Sequence, residues 1–232
     1  MMKADRTRLL LYGACPAIVG TSMLALYFSG VPWLQNLASP AHQREFGLIE
    51  NLQNLFILGM VILCLRTARI ETGTLWRILW FGAAIMAIGI LMEEIDWGNH
   101  YYTALTGKSL TEKENFNIHN QSALTDWLKR GVDLTFLFGF VVLPLFANRF
   151  PPKIRLFIPL LYSALPLLIG FGVSQGAHAM EDAGWPNNQS LNKNISEFRE
   201  MFTYWVVLLY LWEVSRRRIA SPSPKDGESP GA

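Results

Sequence analysis

The sequence predicts an all-α integral membrane protein: six transmembrane helices, both termini cytoplasmic, and a partly helical outer loop between helices three and four. Hydrophobic residues make up 51% of the 232 residues and charged residues only 16%, against about 25% charged residues in an ordinary soluble domain. The hydrophobic residues fall into six blocks, and basic residues cluster beside alternate ends of these blocks. The bilayer is therefore expected to be the solvent for most of the chain.

The six apolar blocks are the predicted spans, and they comprise residues 9–28, 48–65, 75–92, 134–147, 156–173 and 201–214. A helix needs about 20 residues to cross a bilayer, and the fourth and sixth blocks are shorter than that. Each must extend into flanking residues, 131–133 for the fourth block and 195–200 for the sixth, which places Asp133, Glu197 and Glu200 at or just inside the membrane boundary. The alternative is that these two blocks form re-entrant or buried helices.

The first block follows a basic start, MMKADRTR, as a signal peptide would. The apolar core of a signal peptide has about 7–15 residues and ends at a small-residue cleavage site. This block is longer, so we expect an uncleaved first transmembrane helix.

The distribution of charge predicts the orientation. Thirteen of the twenty Lys and Arg residues lie at the N-terminus, in the loops after the second and fourth blocks, and in the tail. Cytoplasmic loops carry the excess of Lys and Arg, so these segments are predicted to be cytoplasmic. Thirteen of the eighteen acidic residues and all four histidines then face outward. We expect a bacterial inner-membrane protein with one transmembrane domain, residues 1–219, and a disordered cytoplasmic tail, residues 220–232, which is rich in Pro, Gly and Ser.

Composition also excludes some function classes. A net charge of +2, without a Lys/Arg stripe interleaved with aromatic residues, gives no indication of nucleic-acid binding. Cys15 and Cys64 lie inside apolar blocks and have no zinc-binding spacing, so neither a structural disulfide nor a cysteine metal site is expected.

The most polar sequence at the end of an apolar block is ILMEEIDWGNH, residues 90–100. If the third helix continued through it, Glu93, Asp96 and His100 would share a face. The adjacent carboxylates of Glu93 and Glu94 repel each other at a membrane boundary, and a metal ion, an arginine or a shared proton would relieve this. A solvated helix end is the alternative.

Glu50 begins a similar polar group at the outer end of the second block, with Gln53 and Asn54 at i+3 and i+4. An ionisable residue in a spanning segment is by default a candidate functional residue. The alternative is that Glu50 reaches the lipid headgroups or bonds a neighbouring helix.

Histidines and further carboxylates complete the predicted outer site. His119 lies in the outer loop, His178 precedes Glu181 by three residues just after the fifth block, and Glu197 and Glu200 precede the sixth. Carboxylates with imidazoles suit zinc or iron, although this spacing matches no specific metal motif and ordinary surface roles stay open. We expect Glu93, His119, His178 and Glu197 to hold a metal, possible identities being Zn and Fe, and Glu50, Glu94 and Glu200 to be catalytic.

Four patterns together resemble a family of uncharacterised bacterial inner-membrane proteins. They are Glu50-x-x-Gln53, Glu93-Glu94-x-x-Trp97-Gly98, Asn117-x-His119-Asn120, and a last helix that opens with Glu197 and Glu200. The resemblance covers residues 45–210 and implies no activity. Asp96 stands where the family has a serine, so the resemblance places Asp96 outside the core site.

Three functions are compatible with these features. The first is a metal-dependent hydrolase or transferase that acts at the outer leaflet on a lipid or lipid-linked substrate. The second is a non-catalytic accessory or assembly subunit whose polar residues form a structural network or a partner surface. The third, a small transporter, is disfavoured because carriers bind near the bilayer midplane. The sequence identifies no protein partner.

Overall fold

The computed structural model describes residues 2–39, 46–108, 131–132, 134–185 and 195–220, and this part of the chain is helical without β-strands. We number its helices in chain order. Helix α1 combines Met2–Leu9, a π-helical turn Leu10–Ala14 and Cys15–Tyr27. The others are α2 Pro32–Ala38, α3 Leu48–Ile70, α4 Thr74–Glu94, α5 Asn99–Thr106, α6 Leu134–Leu145, α7 Pro152–Arg155, α8 Ala164–Asp182 and α9 Ile195–Ala220.

Three helices are long and apolar enough to cross a membrane: Arg6–Tyr27 of α1, α3 and α4. They correspond to the first three predicted spans, and they confirm the expected all-helical membrane class. Helix α6 is a shorter apolar helix, with a π-helical turn at Leu137–Val142. The six-span topology and the cytoplasmic termini stay predictions, and the predicted tail and most of the outer loop lie outside the described residues.

Helix α9 forms the centre of the bundle and packs chiefly against α3 and α8. It begins at Ile195, which agrees with the expectation that the sixth block extends through residues 195–200. Phe198, Met201, Phe202 and Val206 are fully buried along it. Its apolar face therefore provides much of the core, although its polar residues make it less hydrophobic than α3 or α4.

The fifth predicted helix needs correction. Residues 156–160 are not helical, Leu161–Ser163 is a single 3-10 turn, and α8 runs from Ala164 to Asp182. Pro159 has no N–H to continue a helix, which accounts for the break. Helix α8 also extends beyond residue 173, so His178 and Glu181 lie inside a helix and not after one.

The third predicted helix ends sooner than its polar extension required. After α4 ends at Glu94, Asp96 and Trp97 take positive φ angles of 48° and 52°, and Gly98 follows at 86°. Left-handed backbone is uncommon outside glycine, and it turns the chain here. Glu93, Asp96 and His100 therefore do not continue along one helical face, contrary to that expectation.

Trp205 caps an orphaned carbonyl of α1, and its loss should destabilise the protein. In the π-helical turn the Cys15 N–H donates to the Leu10 carbonyl, five residues earlier. The same spacing would pair the Leu11 carbonyl with the N–H of residue 16, but residue 16 is a proline and has no N–H. The Trp205 Nε1–H donates to the Leu11 carbonyl instead, at 3.1 Å. We expect Trp205→Phe to lower the free energy of unfolding by roughly 1–3 kcal/mol, measured by denaturant titration in mixed micelles.

Trp212→Phe is the matched control on the same helix. Trp212 contacts the Arg216 guanidinium through its ring face, a contact that a phenyl ring retains in part. A loss for Trp212→Phe as large as that for Trp205→Phe would contradict the carbonyl argument.

Candidate functional site

The two ends of the bundle carry different chemistry. At one end Arg8 pairs with Glu213 and Arg218 pairs with Glu71. At the other end Gln53 of α3 bonds Glu197 of α9, and Glu94 of α4 bonds Tyr204 of α9. We call the first the basic end, defined by Arg8, Arg155, Arg217 and Arg218, and the second the acidic end, defined by Glu50, Glu93, Glu94, Asp96 and Glu197.

Gln53 joins α3 to α9 at the acidic end. Its side chain is fully buried, and its Nε2 donates to both the Glu197 carbonyl and the Glu197 carboxylate, each at 3.0 Å. Two acceptors around one nitrogen fix the orientation of the amide. The Gln53 Oε1 atom is therefore turned away from Glu197, and it is buried without a hydrogen-bond donor among the described residues.

Glu94 joins α4 to the same face of α9. The Tyr204 hydroxyl donates to Glu94 Oε1 at 2.6 Å, a short distance typical of a bond to a charged acceptor. The carboxylates of Glu200 and Glu197 also act electrostatically on this hydroxyl. Glu94 thus bonds Tyr204 directly, while Glu197 and Glu200 lie on the same helix as Tyr204.

Glu93 and Asp96 each have one oxygen bonded and one oxygen without a donor. Trp97 Nε1 donates to Glu93 Oε1 at 2.8 Å, and Asn99 Nδ2 donates to Asp96 Oδ2 at 3.0 Å. Glu93 Oε2 and Asp96 Oδ1 are buried and receive no hydrogen bond within the described structure. The left-handed turn at Asp96 and Trp97 brings both bonded donors into position.

Four buried oxygen acceptors without a donor therefore lie at the acidic end, the fourth being Asn54 Oδ1. A buried acceptor that loses its hydrogen bond to water costs roughly 1–3 kcal/mol. All four need hydrogen-bond donors or a cation. Water, a cation, a ligand or the rest of the chain can supply them.

The remaining predicted site residues occupy different environments. Glu50 is buried, with 8% of its surface exposed, Glu200 is half-buried on α9, and His178 is exposed on α8. His119 lies outside the described residues, as does the side chain of His100.

Among the residues that the structure describes, no three His, Cys, Asp or Glu side chains are grouped so that they could hold a metal. The ligand set Glu93, His119, His178 and Glu197 stays a prediction that depends on His119.

Tyr204 is the functional candidate that sequence reasoning missed. It lies four residues after Glu200, one helical turn along the same face, and this spacing was the available signal. Gln53 was noted beside Glu50 and in the resemblance, and Asn54 only beside Glu50; the buried side-chain oxygens of both make them part of the site. A contact such as Glu94 to Tyr204 joins residues 110 positions apart, and no local pattern indicates it.

No family model, no curated protein and no solved structure matches this chain. The resemblance to uncharacterised bacterial inner-membrane proteins therefore stays a prediction, and function must be argued from the site.

Proposed function

We propose that the chain is a bacterial inner-membrane protein with six spans and cytoplasmic termini, and that its acidic end faces the periplasm. The distribution of Lys and Arg supports this orientation. The helix directions are compatible with it, since the contacts of Arg8 with Glu213 and of Arg218 with Glu71 join α1, α3 and α9 at the basic end. Helix α6 is short, and the chain is irregular before α8. Irregular backbone is tolerated at membrane depth where neighbouring protein satisfies its N–H and C=O groups, so both features are compatible with spanning segments.

We infer that the acidic end is the active site of a metal-dependent hydrolase or transferase. The observation that carries this proposal is the set of buried acceptor oxygens on Gln53, Asn54, Glu93 and Asp96 that have no donor in the described structure. A self-contained structural network would satisfy its own acceptors. Oxygen acceptors beside carboxylates are suited to a cation, and His119 and His178 would add the imidazoles that zinc or iron prefers.

The residues around Tyr204 would carry the chemistry. Glu94 and Glu200 can accept a proton from an attacking water, and Tyr204 can hold Glu94 in position through their 2.6 Å bond. Glu50, buried near the start of α3, is a further candidate base. A metal at this site would lower the pKa of its bound water.

A lipid or lipid-linked molecule is the substrate class that this position favours. The site lies where α3, α4 and α9 reach one end of the bundle, and the neighbouring surface of α4 exposes large apolar side chains such as Ile85, Met86 and Ile90. A substrate with an apolar tail in the bilayer can place its polar headgroup at that level.

A non-catalytic accessory or assembly role is the second candidate. It is favoured by the closed pairs Gln53–Glu197 and Glu94–Tyr204, because polar bonds between helices stabilise membrane bundles without any chemistry. A partner protein would then supply the missing donors.

Metal content separates the two candidates. We expect detergent-purified wild-type protein to carry close to one zinc or iron per chain by mass spectrometry, and Glu93→Gln and His119→Ala to lose most of it while staying folded. Asp182→Asn is the matched control, since Asp182 is an exposed carboxylate at the end of α8. Absence of metal from stable wild-type protein would contradict the enzyme proposal, as would full retention by both variants.

A further inference from the structure

A groove of about 440 Å³ opens at the basic end, away from the proposed active site. Its walls come from the segment between α6 and α8 and from the last turns of α9. Pro144, Pro152, Pro159 and Leu161 provide much of the apolar lining, and Arg155 and Arg217 provide the charge. This volume is within the range of about 300–1,000 Å³ usual for small-molecule sites.

The wall of the groove is held in place by α9. Arg217 Nη1 donates to the carbonyls of Leu156 and Ile158, each at 3.1 Å, and the Tyr210 hydroxyl donates to the Phe157 carbonyl at 2.8 Å. Three consecutive carbonyls of the irregular segment are thus bonded to one helix. Proline side chains further restrict the backbone, so the groove is preformed.

The protein around the groove neutralises its positive charge only in part. The acidic side chains that the structure describes at this end are already paired: Glu71 with Arg218, and Glu213 with Arg8 and, at 3.9 Å, with Arg217. Within the described part of the chain, Arg155 forms no ion pair or side-chain hydrogen bond, and the Arg217 Nη2 group donates no hydrogen bond. Unused guanidinium N–H groups beside an apolar wall complement a phosphate attached to a hydrocarbon chain.

We propose that this groove binds one anionic glycerophospholipid. The phosphate lies at Arg155 and Arg217, and an acyl chain follows the proline-lined wall past Leu161, which is 56% exposed. Basic pockets between membrane helices on the cytoplasmic side are known to take anionic headgroups, and the proposed orientation puts this groove in that leaflet. A soluble phosphate compound would leave the apolar lining uncovered.

The test uses the full-length protein in neutral detergent with added dioleoyl-phosphatidylglycerol, and it counts bound lipid by native mass spectrometry. We expect one phosphatidylglycerol per chain at concentrations where dioleoyl-phosphatidylcholine does not bind. One Arg contributes about fivefold to binding of anionic lipid, so Arg155→Gln should weaken phosphatidylglycerol binding by about that factor. Ala147→Phe, which fills the groove without removing charge, should abolish it.

Arg69→Gln is the matched control, because Arg69 is exposed at the same end on α3 and does not line the groove. Thermal melting without lipid checks that each variant is folded. Equal binding of phosphatidylcholine, an unchanged affinity for Arg155→Gln, or displacement of the lipid by glycerol 3-phosphate alone would each overturn the proposal. The metal measurement is a separate experiment and reports on the acidic end of the bundle. Failure of either proposal therefore leaves the other standing.

Discussion

Replacing Gly170 with alanine should lower the free energy of unfolding by roughly 1–3 kcal/mol, the usual cost of overpacking a filled core. The result would be unusual for an exchange that removes a glycine from a helix, since alanine is normally favoured there by about 0.5–1 kcal/mol. The expected loss arises because α8 crosses α9 at this glycine with no room for a side chain.

The geometry at the crossing explains the expected size. A Cβ atom at Gly170 would lie 2.7 Å from the Phe202 Cβ and 2.8 Å from the Phe202 Cδ2. The first of these atoms is fixed to the α9 backbone and cannot rotate away. Phe202 is fully buried, so the ring has no free space to enter, and the two helices would have to separate.

Gly172→Ala provides the control two residues further along α8. A Cβ at Gly172 would meet nothing within 4 Å, so we expect unchanged or slightly higher stability for this variant. Denaturant titration in mixed micelles measures both. Equal stability of the two variants would contradict the close crossing.

Gly20 of α1 tests the other side of the same phenylalanine. A Cβ at Gly20 would lie 2.9 Å from the Phe202 Cζ, the far end of the ring, and 2.9 Å from the Val173 Cγ2. Phe202→Leu removes the Cζ atom but keeps the Cβ. In a Phe202→Leu background, Gly20→Ala should therefore lower the free energy of unfolding less than it does in the wild type. The part of the Gly170→Ala loss that comes from the Phe202 Cβ contact should be unchanged.

The parts of the fold that the sequence predicts are those determined by length and apolar composition. Helices α1, α3 and α4 are continuous apolar segments, and the extension of α9 through residues 195–200 follows from the length a span requires. The break before α8 could not be predicted from hydropathy. The carbonyls at this break have no helical N–H donor. Tyr210 and Arg217, more than fifty positions away in the sequence, donate to them instead.

The residues of the candidate site also fall into two groups, those that the sequence indicates and those that depend on tertiary packing. Glu50, Glu94 and Glu197 were recognisable as carboxylates at apolar boundaries, where an ionisable group requires an explanation. Their partners Gln53 and Tyr204 depend on which helices pack together. The left-handed backbone at Asp96 and Trp97 is also set by tertiary structure, since positive φ is uncommon outside glycine and neither residue type predicts it.

Arg217→Leu should be the second severely destabilising change, with a loss of roughly 2–5 kcal/mol. Arg217 donates to the carbonyls of Leu156 and Ile158, and each buried carbonyl left without a donor costs roughly 1–3 kcal/mol. The substitution also removes one of the two cations beside Glu213, whose nearer partner Arg8 stays at 3.2 Å. Because Glu213 keeps that partner, most of the loss is assigned to the carbonyls.

Arg216→Leu separates this effect from a general loss of positive charge. Arg216 is exposed and lies over the ring face of Trp212, and it forms no ion pair or side-chain hydrogen bond with the described residues. Such a ring contact is worth about 0.5–1 kcal/mol at an exposed site. Arg217→Lys should fall between the two, since an ammonium group keeps the charge but lacks the planar donors of the guanidinium. If Arg216→Leu and Arg217→Leu lower the free energy of unfolding equally, the irregular segment before α8 does not depend on Arg217. The order Arg217→Leu, Arg217→Lys, Arg216→Leu, from most to least destabilised, would instead locate the stabilisation at the two carbonyls.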